Sequence, residues 1–371
     1  MTIRRISADE LTIGLTLPWD VYGEGGGLLV KKGHLIASAH LIEMLVERGF
    51  IGDDGVAAVH AQPPSALRML NLAHAGLRAA LAQLALGQAD CLPKLDEVAK
   101  LVEDAMDLDQ DVALACILLN QAGGDYAIRH GVDSASVALL MARALKRTPA
   151  QARSLVLAAL TMNVGMLRDH QRFHDTGAAL PAADLAYIRA HPQAGVALLR
   201  AVGVADEPWL ACVLQHHENE DGSGYPLATV AAGIGIDAHI LMLADRYCAR
   251  VSARAYRKAM LPNAALRDIL LQGKETVDAQ LASVLLHQLG IYPTGAFVKL
   301  LDGEIGVVTR QGASATTPHV LSLLNAWGTR LDVPLRRDTK TERHAIREVL
   351  SAQQAGLTFR LEQLWGCGAS L

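Results

Sequence analysis

The chain has 371 residues, 51% hydrophobic and 19% charged, with a formal net charge of −4. That length allows two or three domains with a full core, and the hydrophobic fraction excludes a disordered protein. The slightly acidic balance, without a long basic run, argues against polymeric nucleic acid or a membrane surface as the partner.

Cys91, Cys116, Cys212, Cys248 and Cys367 are odd in number and contain no Cys-x-x-Cys pair, which suits reduced thiols. The opening residues Met1-Thr2-Ile3-Arg4-Arg5 lack an apolar signal stretch, and the most apolar segment, 154–167, is too short to span a bilayer. The expectation is a cytoplasmic protein without a membrane span.

Residues 1–62 read as a small α+β module. Segments 15–22 and 27–31 suit two short strands joined by the turn Gly23-Glu24-Gly25-Gly26. Pro18 places the first at a sheet edge, because proline cannot donate to the ladder. A helix follows over 39–48. Gly25-Gly26-Gly27 lacks the Lys-Ser/Thr of a phosphate-binding loop and reads as a hairpin turn. After Gln62-Pro63-Pro64 the pattern becomes helical. In 66–86 the apolar residues Leu67, Leu70, Leu77, Leu81 and Leu84 recur at helical spacing. Helices over 92–106 and 111–121 complete a connector over 63–122.

From Tyr126 a helical domain is predicted, over 123–290. Its helices are 126–146, 150–162, 183–190, 208–217 and one capped by Asp237 that runs to about 251. His191-Pro192 marks a break, with proline starting a new helix. Residues 291–371 hold a hairpin, 296–300 with 305–309 over Asp302-Gly303, and a tail that reads as helical from about 343. The fold class expected is mainly α: an all-helical domain with an N-terminal α+β module and a C-terminal β-hairpin extension.

The stretch with the most chemistry is Gln215-His216-His217-Glu218-Asn219-Glu220-Asp221-Gly222-Ser223-Gly224-Tyr225-Pro226. Adjacent histidines followed by a carboxylate suit a divalent metal, since neutral imidazole is the commonest protein ligand for iron, zinc and manganese. The glycines and proline behind them give a rigid turn-rich loop.

The string HHExxDGxGYP resembles the signature of the HD-GYP family, metal-dependent phosphodiesterases of cyclic di-GMP, and the resemblance covers roughly residues 120–330. It implies an HD-type helical fold and a metal site built from an early histidine (His130), a His-Asp doublet, a histidine before proline (His191), the HHE histidines (His216 and His217) and a last aspartate (Asp245). It places Arg254 and Arg257 where the family has arginines associated with substrate phosphates, a role for which a guanidinium fork is suited. Glu218, Asp221, Gly222, Gly224, Tyr225 and Pro226 form the signature loop.

At the doublet the chain departs from the family. Where the family reads His-Asp-x-Gly-Lys, this sequence has Met162-Asn163-Val164-Gly165-Met166. A thioether is a poor ligand for a hard ion, an amide bridges two cations far less well than a carboxylate, and Met166 cannot hold a phosphate. Tyr126 stands where members with three metals carry a glutamate. His191, His216 and His217 could still hold one divalent transition metal (iron, manganese or zinc), at most one ion per chain, leaving His130 and Asp245 from the other site. His170 and His174 read as surface residues. The resulting expectation is a cyclic di-GMP signalling protein with impaired hydrolysis, acting as nucleotide receptor or as an interaction module for proteins such as diguanylate cyclases. The alternative is an active metal-dependent cyclic di-GMP phosphodiesterase.

Overall fold

The computed structural model of the chain describes residues 3–23, 28–34, 36, 38–52, 63–120, 125–176, 180–253, 258–272 and 276–371. It divides into two units, one ending at Pro63 and the other beginning at Pro64. Among the described residues, no helix is long and apolar enough to cross a membrane.

The first unit contains β1 (Ile3–Arg5), β2 (Val21–Tyr22), β3 (Leu28–Val30), α1 (Ala39–Arg48) and β4 (Phe50–Gly52). The strands form an antiparallel sheet in the order β1-β4-β2-β3. Ile6, Leu17, Val21, Leu45 and Ile51 make its core. Ser38 starts α1 by accepting the Leu41 N–H at 3.3 Å, which satisfies a donor that the first helical turn leaves open. The expected strand pair is present as β2 with β3, but Pro18 lies before β2 and not in an edge strand. The turn at Glu24 to Gly27 lies outside the described residues. β1 and β4, three residues each, are too short to show an alternation in sequence.

The second unit begins with α2 (Ala66–Ala85), α3 (Cys91–Leu108), α4 (Gln110–Leu119), α5 (Tyr126–Ala144) and α6 (Pro149–Thr161). The predicted stripe of α2, from Leu67 to Leu84, is buried at all five positions. Each such leucine contributes about 1.5–3 kcal/mol. Every residue of α5 from His130 to Ala142 is buried, so this helix is the central one. Next come α7 (Leu167–Asp175), α8 (Ala182–Ala201), α9 (Glu207–Gln215), α10 (Ile236–Val251), α11 (Pro262–Gln272) and α12 (Ala279–Leu289).

Several expectations are corrected here. His191-Pro192 does not end a helix: α8 runs through it, with Pro192 inside. Residues 167–175, outside the predicted helices, form α7. Asp237 is not the cap of α10 but lies in its first turn, where it pairs with Arg147 at 2.7 Å. The predicted hairpin is present as β5 (Phe297–Leu300) and β6 (Ile305–Arg310), yet it is only part of a larger sheet. β7 (His319–Leu324), β8 (Arg330–Asp338) and β9 (Ile346–Leu350) join it in the order β8-β7-β6-β5-β9. The tail is therefore a strand before it is helical. β8 is exposed or half-exposed over nearly its whole length, and no apolar alternation announces it.

One close approach sets the position of residues 162–166. Met162 and Asn163 follow the last residue of α6, and a 3-10 turn, Val164–Met166, comes next. This turn packs against α8. A Cβ on Gly165 would lie 2.1 Å from the His191 carbonyl oxygen and 2.7 Å from the Gly195 nitrogen. Only glycine permits that contact, so its retention has a packing reason independent of chemistry. Gly165→Ala is expected to destabilise the protein by about 1–3 kcal/mol, the scale of an overpacked core. Urea unfolding would measure it, and an unchanged midpoint would contradict the contact.

Candidate metal centre

His191 lies in α8, while His216 and His217 follow the last turn of α9. Each offers one ring nitrogen, and the three nitrogens lie within 4.8 Å of one another. His191 and His216 are buried, while the His217 side chain keeps 23% of its exposure.

Proline makes this arrangement. Pro192 has no N–H, so the helical bond it would have given to the Ile188 carbonyl is missing. That carbonyl instead accepts from His191 Nδ1 at 2.6 Å. In the same way His216 Nδ1 donates to the Val213 carbonyl at 2.8 Å. With both Nδ1 atoms protonated, both Nε2 atoms carry lone pairs, and these face each other at 3.3 Å. Two lone pairs at that distance repel unless a cation lies between them. A proton does not serve, because burial first, then the neighbouring His216, pushes His191 down to about 3. Burial likewise lowers His216 and His217. The donor set therefore fits a divalent metal ion, which binds neutral imidazole.

The other candidates are arranged differently. Asp245, on α10, accepts from His130 Nε2 at 2.7 Å, and its second oxygen is 4.0 Å from His217 Nδ1. Burial alone would raise the Asp245 carboxyl. The His130 hydrogen bond and the nearby imidazoles outweigh this and hold it well below the usual carboxylate range. His130 Nδ1 is buried and has no hydrogen-bond partner among the described residues. Tyr126 stacks on the His130 ring, with centroids 5.1 Å apart and planes 15° from parallel. His170 meets Tyr126 edge-on at 5.4 Å. It is 7% exposed, so the expectation of a surface residue is overturned for it. The His174 side chain, and Arg254 and Arg257 altogether, lie outside the described residues.

Asn163 and Met166 line a cleft of about 200 Å³ together with Tyr126, His130, His170, His217, Tyr225 and Asp245. Met162 is only 1% exposed and is not part of that lining. The doublet position thus meets the cleft through an amide and a thioether.

The signature loop is held by its own polar groups. Glu218 is buried, and its carboxylate accepts the Leu227 N–H at 2.6 Å and the Thr229 N–H at 2.8 Å. Asp221 accepts from the Ser223 N–H and hydroxyl, at 2.9 and 2.6 Å. Gly222 takes φ +75°, which glycine adopts without strain. A Cβ on Gly224 would lie 2.4 Å from the Asn219 nitrogen. Tyr225 then turns back onto His217, with ring centroids 4.7 Å apart, and Pro226 follows it through a cis peptide bond. Arg246, missed in the sequence, donates to Asn219 Oδ1 and to Thr276 Oγ1, tying the loop to the helix that carries Asp245. Its adjacency to Asp245 was the one available signal.

The buried imidazoles give stability a sign in pH. Unfolded, His191 takes up a proton below about 6.5, whereas folded it resists until about 3. Stability therefore falls as pH falls through that window, and the depressed Asp245 adds to the loss in the carboxylate range. Between pH 7.5 and pH 5, chelator-treated protein should lose about 2 kcal/mol through His191, with further loss from the other rings. Urea unfolding at the two pH values measures it, and His191→Asn should flatten the slope. A flat profile in the unaltered protein would rule out the neutral imidazole pair.

Residues 115–281 match the family model described as HD domain. The cyclic di-GMP phosphodiesterase PA4108 of Pseudomonas aeruginosa is 28% identical over 215 residues, 58% of this chain and 52% of that protein. The cyclic di-GMP phosphodiesterase response regulator RpfG of Xanthomonas campestris is 30% identical over 156 residues, 41% of this chain and 40% of that one. The chain thus spans about half the length of the curated relatives it matches. Among solved structures, the HDG"Y"P protein Bd1817 of Bdellovibrio bacteriovorus shares the fold, with a TM-score of 0.52 at 15% identity over 76% of this chain and 97% of that one. Residues 115–281 thus match an HD domain, and the chain is similar over that region to cyclic di-GMP phosphodiesterases and shares the fold of an HDG"Y"P protein.

Proposed function

We propose that this chain is a cyclic di-GMP signalling protein whose hydrolytic centre is reduced to a single metal site, and that it works by binding the nucleotide. Support for one ion comes from the facing Nε2 atoms of His191 and His216, with His217 beside them. Support for the loss of a second comes from Asp245, which is engaged by His130 under the Tyr126 ring, and from Asn163 where a bridging carboxylate is required. An ion held by the three histidines would supply positive charge to a phosphate oxygen. Asn163 and Met166 offer no bridge and no cation to complete the work. Cyclic di-GMP as ligand follows from the relatives, which are named for that substrate. Arg254 and Arg257 are the residues proposed to meet its phosphates. No relative named here points to a diguanylate cyclase as the partner of the Tyr225 loop.

Elemental analysis should find at most one iron, manganese or zinc ion per chain, lost in His216→Ala. Calorimetry should find cyclic di-GMP binding without turnover, weakened by about 1–3 kcal/mol in Arg254→Ala, the scale of a charged hydrogen bond. Two ions per chain, or steady hydrolysis, would establish the working phosphodiesterase instead.

Restoring the doublet tests where the chemistry was lost. Met162→His, Asn163→Asp and Met166→Lys together should raise metal content and create phosphodiesterase activity. Because Met162 is 1% exposed, an unliganded histidine there costs about 1–3 kcal/mol, so the variant's stability should depend on added metal. A folded triple variant that binds two ions yet cleaves nothing would place the loss elsewhere in the cleft.

A further inference from the structure

We propose that the cleft beside the metal site takes a neutral purine base, in the half where a second ion and the phosphodiester would otherwise sit. Tyr126, a phenol where charge would be needed for a third metal, puts an aromatic ring in the wall. Phe173 and Tyr225 add two more, and Met166 supplies a polarizable thioether where the family has a cation.

The electrostatics favour an uncharged guest. Among the described lining residues there is no lysine or arginine. The one carboxylate, Asp245, is already held by His130 at 2.7 Å. A phosphate placed here would lose its water and meet no lysine or arginine among the described lining residues. A base loses little solvation on stacking, and aromatic faces hold it without charge.

Asn163 provides the polar edge. Its side chain faces the cleft, is half-buried, and has no hydrogen-bond partner among the described residues. An amide presents one acceptor and two donors, the pattern that pairs with a purine edge. Size agrees: pockets for whole ligands run to roughly 300–1,000 Å³, whereas about 200 Å³ suits one ring system of a larger molecule. The identity of that molecule as cyclic di-GMP rests on the receptor reading above; the base site itself does not.

Calorimetry on the full chain, with guanosine, adenosine and inorganic phosphate as separate probes, tests this. One nucleoside should bind saturably, with less than a two-fold change between low and moderate salt, and phosphate should not compete. Asn163→Ala should weaken nucleoside binding about ten-fold while the thermal melt stays cooperative. Tyr126→Phe, which keeps the ring, should retain it. Comparison of the two nucleosides identifies the purine. Failure of both nucleosides to bind, displacement by phosphate, or undiminished binding by a folded Asn163→Ala variant would each overturn the proposal. Cyclic di-GMP binding without nucleoside binding would overturn it and leave the receptor reading standing. Nucleoside binding without cyclic di-GMP binding would do the reverse.

Discussion

Two imidazole nitrogens facing each other at 3.3 Å in a buried site constrain this structure more than any other contact. Their orientation is not a property of the histidines alone. It is imposed by two backbone carbonyls, one of them free because Pro192 has no hydrogen to give it. A helix that carries proline in its interior ordinarily pays with a kink or an orphaned acceptor. Here the orphaned Ile188 carbonyl is satisfied by the adjacent side chain, and the ring is locked with its lone pair toward His216. Helix continuity and ligand geometry are one solution to the same problem.

The opposite half of the site follows a different logic. His130 and Asp245, 115 residues apart in the chain, are hydrogen-bonded to each other at 2.7 Å. Tyr126 and His170 close over them as an aromatic cover. A cationic cluster would need carboxylates to offset the repulsion between ions, and at the end of this cleft stands the amide of Asn163. The wall that results mixes aromatic rings with polar groups and, among the described lining residues, has no lysine or arginine.

The loop between these halves is stiff for reasons unrelated to catalysis. Glu218 spends both carboxylate oxygens on backbone donors of the loop, and Arg246 anchors Asn219 and Thr276. Gly224 sits where any side chain would strike the Asn219 backbone. A loop built this way presents Tyr225 to His217, with ring centroids 4.7 Å apart.

Much of this was legible in the chain. Helical periodicity placed α2 and its buried stripe, because one buried face repeats locally at 3.6 residues. The HHExxDGxGYP string pointed to His216 and His217, which the fold brings together with His191, because such a motif depends only on residue type. The tertiary structure decided the rest. Pro192 read as a helix start, because sequence cannot show that a side chain will satisfy the carbonyl proline leaves open. His170 read as surface, because its burial depends on Tyr126 from another helix. β8 was invisible, since a strand exposed along its length has no apolar alternation, and it exists only by pairing with β7. Local pattern determines which elements form; which lone pairs, rings and carboxylates meet depends on residues that packing brings together from distant parts of the chain.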